Sequence, residues 1–155
     1  MSDASAVVRE WRDPPRRAAA RRVVVAGAIV SDGRLLLAQR ASPPELAGRW
    51  ELPGGKVEAG ESEESALERE LREELGVETA VTEPLGGEVA LPGASILRAY
   101  RVELVSGTPA PLEHSDLRWV DADGLREIDL VEADRGWMPE LLDILTSPGR
   151  ARDPS

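Results

Sequence analysis

The sequence predicts an α/β fold, an α/β/α sandwich around a mixed β-sheet, on three observations. Short apolar runs of strand length recur along the chain, interleaved with helical segments. A helix with both a start and a stop signal sits mid-chain, with leucines every four residues. A second amphipathic segment follows at 137–145.

Residues 23–30 are a β-branched run, Ser31-Asp32-Gly33 makes a turn, and 35–39 return as a second apolar strand. Two strands around Asp-Gly are a hairpin signal. Residues 41–48, with Pro43-Pro44, read as a loop. Trp50-Glu51-Leu52 is a short extended piece, which Pro53-Gly54-Gly55 is expected to break. Val57 and Glu58-Ala59-Gly60 read as a further strand and turn. Ser62 is placed to cap a helix running to about Leu75, and Gly76 supplies its left-handed stop. Leu67, Leu71 and Leu75 give that helix a buried stripe. Strands are expected next at 86–91, 96–105 and 117–120. Residues 1–20, with Pro14-Pro15 and an arginine cluster, read as a disordered basic tail, and 147–155 as a second. One domain, 21–146, lies between them.

Composition narrows the function classes. A chain of 155 residues, 41% hydrophobic, suits one core. Its longest apolar run, 23–30, is far short of the roughly 20 residues that span a bilayer. No charged-then-apolar leader opens the chain, which is the expectation for a cytoplasmic protein. There is no cysteine, which excludes a thiol nucleophile and any cysteine-ligated metal, and the single histidine, His114, excludes a multi-histidine site. The net charge of −10 disfavours stable binding to nucleic acid or an anionic membrane. It is unevenly spread: residues 1–22 carry six arginines against three carboxylates. An acidic body that handles phosphates needs divalent cations between the two negative partners. Monomer and homodimer are both compatible with this composition.

The chemistry concentrates on the mid-chain helix. Glu70, Glu73 and Glu74 stand at i, i+3 and i+4, so their carboxylates share a face. Like charges at that spacing oppose the helix, and they are what a hard cation such as Mg²⁺ requires. A solvated acidic face is the alternative for an arbitrary helix. The flanks decide otherwise, since Gly55-x5-Glu61-x7-Arg69-Glu70-Leu71-x-Glu73-Glu74-x-Gly76-Val77 is a complete match to the Nudix box.

The resemblance to the Nudix family extends over residues 23–145. Leu35-Leu36-Leu37-Ala38-Gln39-Arg40, the stretch 43–57 and Ala133-Asp134-Arg135-Gly136-Trp137 look like its MutT branch, and within it most like actinobacterial-type homologues acting on cytidine triphosphates and oxidised guanine nucleotides. That resemblance implies a Mg²⁺-dependent hydrolase, with Mn²⁺ as a substitute, whose substrate is a nucleotide. It implies attack of an activated water at the β-phosphorus of a nucleoside triphosphate, releasing the monophosphate and pyrophosphate. It also implies roles. Glu70, Glu73, Glu74 and the Gly54 carbonyl would ligate metal, with Glu113 adding a ligand from a loop. Glu70 is the favoured general base, and a loop glutamate near Glu113 the alternative. Glu61 would hold Arg69 or contact an outer metal. Lys56, the only lysine, would counter phosphate charge, with a plain surface lysine as the alternative, and Arg40 would bind phosphate, with an ordinary strand-end arginine as the alternative.

Asp134 stands where relatives that recognise oxidised guanine carry asparagine. A carboxylate only accepts hydrogen bonds, matching the cytosine N4 amino group and opposing guanine O6. CTP, dCTP and 5-methyl-dCTP are therefore the expected substrates, with 8-oxo-dGTP beside them. The alternative for Asp134 is a cap on the helix that begins near Trp137. His114 reads as a neighbour of Glu113 without a catalytic role. Two other readings of the whole chain stand: a Nudix enzyme on ADP-ribose, for which Pro92 lies 15 residues past the box, and a non-catalytic nucleotide-binding domain. The intact box glutamates argue against the second.

Overall fold

A computed structural model describes residues 22–147; both predicted tails, apart from Ser147, lie outside them. Strand β1 (Arg22–Ser31) turns at Asp32 and Gly33 into β2 (Arg34–Gln39). Both turn residues have positive φ, 53° and 74°, as the tight turn between twisted strands demands. Then follow β3 (Trp50–Glu51), β4 (Gly54–Lys56), helix α1 (Glu63–Leu75), β5 (Glu78–Pro84), β6 (Val89–Leu91), β7 (Ser95–Ser106) and β8 (Asp116–Val120). A short helix α2 (Ala122–Glu127), a 3-10 helix (Glu132–Trp137) and α3 (Met138–Thr146) complete the described chain.

The strands lie in the order β3-β2-β1-β7-β5, with β4 on β1, β6 on β7 and β8 on β2. The sheet is mixed: β1 runs parallel to β7 from Arg22↔Ser95 to Ile29↔Val102, and antiparallel to β2 and β4. Side-chain alternation along β1 sends Val25 and Ile29 to one face and Ala26 and Ala28 to the other, all buried. Leu67, Leu71 and Leu75 of α1 cover the first face, against Val25, Ile29, Leu36 and Val102. Leu125 of α2 and Trp137, Leu141 and Ile144 cover the second, against Leu35, Leu37 and Ala99. The α/β/α sandwich is thus formed.

Helix α1 is built as expected. The Ser62 hydroxyl oxygen accepts from Ser65 N–H at 3.1 Å, and Gly76, at φ 74°, donates its amide to the Arg72 carbonyl. Each fully buried leucine stabilises by about 1.5–3 kcal/mol. Like-charge pairs at i, i+4 cost roughly 0.2–0.5 kcal/mol, so the stripe carries the acidic face with it.

Four expectations need correction. Pro53-Gly54-Gly55 does not simply break the chain, because Gly54–Lys56 is itself a strand against Val24–Ala26 of β1, and the strand expected at Val57 ends one residue earlier. A Cβ on Gly54 would lie 1.9 Å from the Val25 carbonyl oxygen, so only glycine lets this backbone approach. Strand β5 and helix α2 were not expected. The strand read at 86–91 is confined to Val89–Leu91. The helix expected from 137 begins at Met138, after a 3-10 turn that holds Ala133 to Trp137. No helix among the described residues is long and apolar enough to cross a membrane.

Candidate active site

Strand β4 and helix α1 meet at Gly55, where the Glu70 carboxyl takes the place a side chain would occupy. A Cβ there would lie 2.2 Å from the Glu70 carboxyl carbon. The two glycines therefore do separate jobs: Gly54 lets β4 reach β1, and Gly55 lets Glu70 lie over β4.

Arg69 organises the turn below. Its Nε donates to Glu61 Oε2 at 2.7 Å and its Nη2 to Glu61 Oε1 at 3.0 Å, a bidentate pair. Nη2 also reaches the Lys56 carbonyl at 3.1 Å, and Nη1 reaches Glu70 at 3.2 Å and Glu73 at 3.4 Å. Arg69 and the Glu58 amide hold the Glu61 carboxyl down at about 2, so Glu61 stays ionised. Glu61 thus holds Arg69. Glu73 leans on Arg69 with its side chain 54% exposed.

Glu74 is the buried member of the cluster. Burial, then the Glu70 charge, push its carboxyl up to about 8, and its Oε1 is buried with no hydrogen-bond partner. Burial likewise raises Glu70. A buried carboxylate oxygen without a donor is costly unless something positive meets it. Glu74 and Glu113 line one pocket of about 210 Å³ together with Gly54, Arg40, Glu51 and His114. Glu70 is close enough for its charge to act on Glu74, and Glu113's on both. Among the described residues no three carboxylates or imidazoles converge on a single coordination point, Glu73 being turned to Arg69. Glu70, Glu74, Glu113 and the Gly54 backbone are still the hard oxygen donors a divalent cation takes, and the orphaned Glu74 oxygen fits one.

A second cavity, about 580 Å³, adjoins the first and shares Arg40, Glu51 and Gly54 with it. Lys56 and Gly55 line one side; Leu46, Leu52, Leu91 and Leu97 give apolar wall; Asp134 lies at the 3-10 helix. Asp134 is 3% exposed, and its Oδ2 accepts from the Leu52 amide at 2.9 Å. It does not cap α3, whose first turn has no side-chain cap. Burial pushes its carboxyl up to about 7, so the assumption that it only accepts near neutrality does not hold.

Arg40 donates from Nη1 to Glu51 Oε1 at 2.9 Å and from Nε to the Ser42 carbonyl at 3.0 Å. His114 is next to Glu113 in sequence, but its side chain lies on Glu51, with Nε2 and Oε2 3.0 Å apart. Glu51 itself escaped the sequence reading. Its signal was a lone carboxylate between two buried side chains, Trp50 and Leu52.

Residues 19–141 match the NUDIX domain family model. The chain belongs to the Nudix family. This Nudix hydrolase is 57% identical over 122 residues to a Mycobacterium tuberculosis relative provisionally named 8-oxo-dGTP diphosphatase 2, an alignment covering 77% of this chain and 86% of that one. It is 42% identical over 113 residues to the CTP pyrophosphohydrolase of Escherichia coli, covering 72% and 84%. Among solved structures, the Escherichia coli ORF135 protein superposes with a TM-score of 0.67 at 36% identity, covering 87% of this chain and 95% of that one. A MutT Nudix hydrolase from Burkholderia pseudomallei gives 0.66 at 36% identity, covering 77% and 97%.

Proposed function

We propose that the protein hydrolyses nucleoside triphosphates to the monophosphate and pyrophosphate with Mg²⁺, taking CTP, dCTP and 5-methyl-dCTP and also 8-oxo-dGTP. The observation that carries this reading is the pairing of cavities: an acidic pocket around Glu74 opens beside a larger, largely apolar one that ends at Asp134. The first suits cation-bound phosphates, the second a base. The names of the two relatives support both base classes.

Glu70, Glu74, Glu113 and the Gly54 carbonyl would hold the divalent cations, and Glu73 would join them only on leaving Arg69. When bound, such cations neutralise the phosphate chain and acidify a coordinated water. Glu70 would take the water's proton, a role supported by its position over Gly55 and by the burial that raises its carboxyl. Arg69 keeps Glu70 in place through its pair with Glu61 and its hold on the Lys56 carbonyl. Lys56 lines the larger cavity and Arg40 lines both, so at the junction of the two they would meet phosphate oxygens. Asp134 meets the base.

Glu70→Gln tests the assignment, because it keeps the shape and removes both the ligand and the base. Its kcat on dCTP should fall by at least about a hundredfold with the fold intact by circular dichroism. A kcat within threefold of wild type would remove Glu70 from the mechanism.

A further inference from the structure

Glu51 stands where the two cavities meet, and it lines both. Its charge acts on Glu74 in one direction and on Asp134 in the other. Both its oxygens are engaged: Oε1 by Arg40 and Oε2 by His114 Nε2. A carboxylate accepts, so the imidazole donates from Nε2. The His114 side chain is only 9% exposed and that of Glu51 18%, so the bond lies at the part-buried wall of the pocket. Its Nδ1 is buried without a partner among the described residues. One bond therefore orients the ring.

That ring belongs to the loop carrying Glu113. The backbone is pinned before it, where Leu112 N–H donates to the Glu74 carbonyl at 3.1 Å, and after it, where Ser115 N–H donates to the Gln39 carbonyl at 3.0 Å. Between the two pins, the amides of Glu113 and His114 make no backbone hydrogen bond among the described residues. The His114 side chain is thus the tether of the segment that presents Glu113, and Glu51 is its post.

We propose that His114 is a positioning residue: its Nε2–H bond to Glu51 sets the Glu113 carboxylate toward the cation pocket and, through the same carboxylate, joins that pocket to the nucleotide cavity. The inference rests on the metal-dependent reading above. A tether serving stability alone is the competing account, and it predicts a changed melting temperature with unchanged cation binding in every variant that folds.

The test uses the full chain, with Mn²⁺ affinity followed by electron paramagnetic resonance without nucleotide, and kcat and KM on dCTP with Mg²⁺. Wild-type protein that neither binds Mn²⁺ nor turns over dCTP would overturn the functional reading, and this inference with it. Given an active wild type, His114→Ala should weaken Mn²⁺ binding and lower kcat by about tenfold or more, as loss of an outer partner does. Its KM should move less than about threefold, since Arg40 still holds Glu51. Glutamine carries an amide N–H about as far out as Nε2, so His114→Gln should restore both quantities; asparagine ends nearer the Nδ1 level, and His114→Asn should behave as alanine. If His114→Ala fails to fold, the glutamine and asparagine variants decide alone. Wild-type Mn²⁺ affinity and kcat in folded His114→Ala, or equal behaviour of His114→Gln and His114→Asn, would overturn the proposal.

Discussion

Asp134 lines the larger cavity with one carboxyl oxygen uncommitted. The other is committed to the Leu52 amide at 2.9 Å. With its carboxyl raised to about 7, that remaining oxygen changes character within the neutral range. Below about pH 7 it is the hydroxyl of a neutral acid and can donate to an acceptor such as guanine O6. Above it, the ionised group accepts from a donor such as cytosine N4. The preference for dCTP over 8-oxo-dGTP, as a ratio of kcat/KM values, should therefore rise with pH through about 7. Asp134→Asn fixes the same position in one protonation state. The Leu52 N–H will take the new carbonyl, leaving the amide NH₂ toward the cavity. The ratio should then fall by roughly five- to a hundredfold, the worth of one well-made base contact, and lose its pH dependence. A ratio flat in pH for wild type and unmoved by the mutation would show that Asp134 is only the Leu52 tether.

Helix α1 carries two opposed loads, an apolar stripe that folds it and an acidic face that works against folding. Glu74 is the costly residue, buried at 8% exposure with an unpartnered oxygen. Its carboxyl lies at about 8 against an ordinary 4.5, so the folded state binds its proton more tightly than the unfolded state. That advantage is fully present below about 4.5 and is lost as pH rises through about 8. Metal-free protein should therefore melt lower at pH 8.5 than at pH 6. Glu74→Gln should remove much of that loss, raising the metal-free melting temperature at pH 8.5 by at least about 2 °C, near 1 kcal/mol for a chain of this size. The same variant should be severely slowed in turnover. Equal melting curves at pH 8.5 would mean that Glu74 is solvated or paired in solution.

Legibility followed local signal strength at this scale. Helix α1 was readable because its cap, stripe and stop all agree. Strand β4 was not, since Gly-Gly is a breaker by composition and a strand here only because β1 leaves no room for a Cβ at Gly54. Helix α2 spans six residues, too few for a period, and β5 has one buried residue, Thr79, which is polar. At the site, the box residues were readable from their match to the Nudix box, which spacing on the helix alone would have left as a solvated acidic face. Glu51 and the true position of His114 depend on contacts 63 residues apart in sequence, which no local pattern encodes.

At the scale of the molecule, the sandwich explains where the site lies. Helix α1 fixes the box carboxylates from one face of the sheet, and the 3-10 helix brings Asp134 from the chain segment that covers the other. Strands β3 and β4 carry Glu51, Gly54 and Gly55, so one short stretch of backbone lines both cavities. This arrangement is expected to split a triphosphate with a divalent cation, and product analysis tests that most directly. Incubated with dCTP and Mg²⁺, the protein should release dCMP and pyrophosphate in equal amounts, stop in excess EDTA, and resume when Mg²⁺ is restored. Orthophosphate with dCDP as the products, turnover undiminished in EDTA, or cleavage of ADP-ribose with none of dCTP or 8-oxo-dGTP would contradict it.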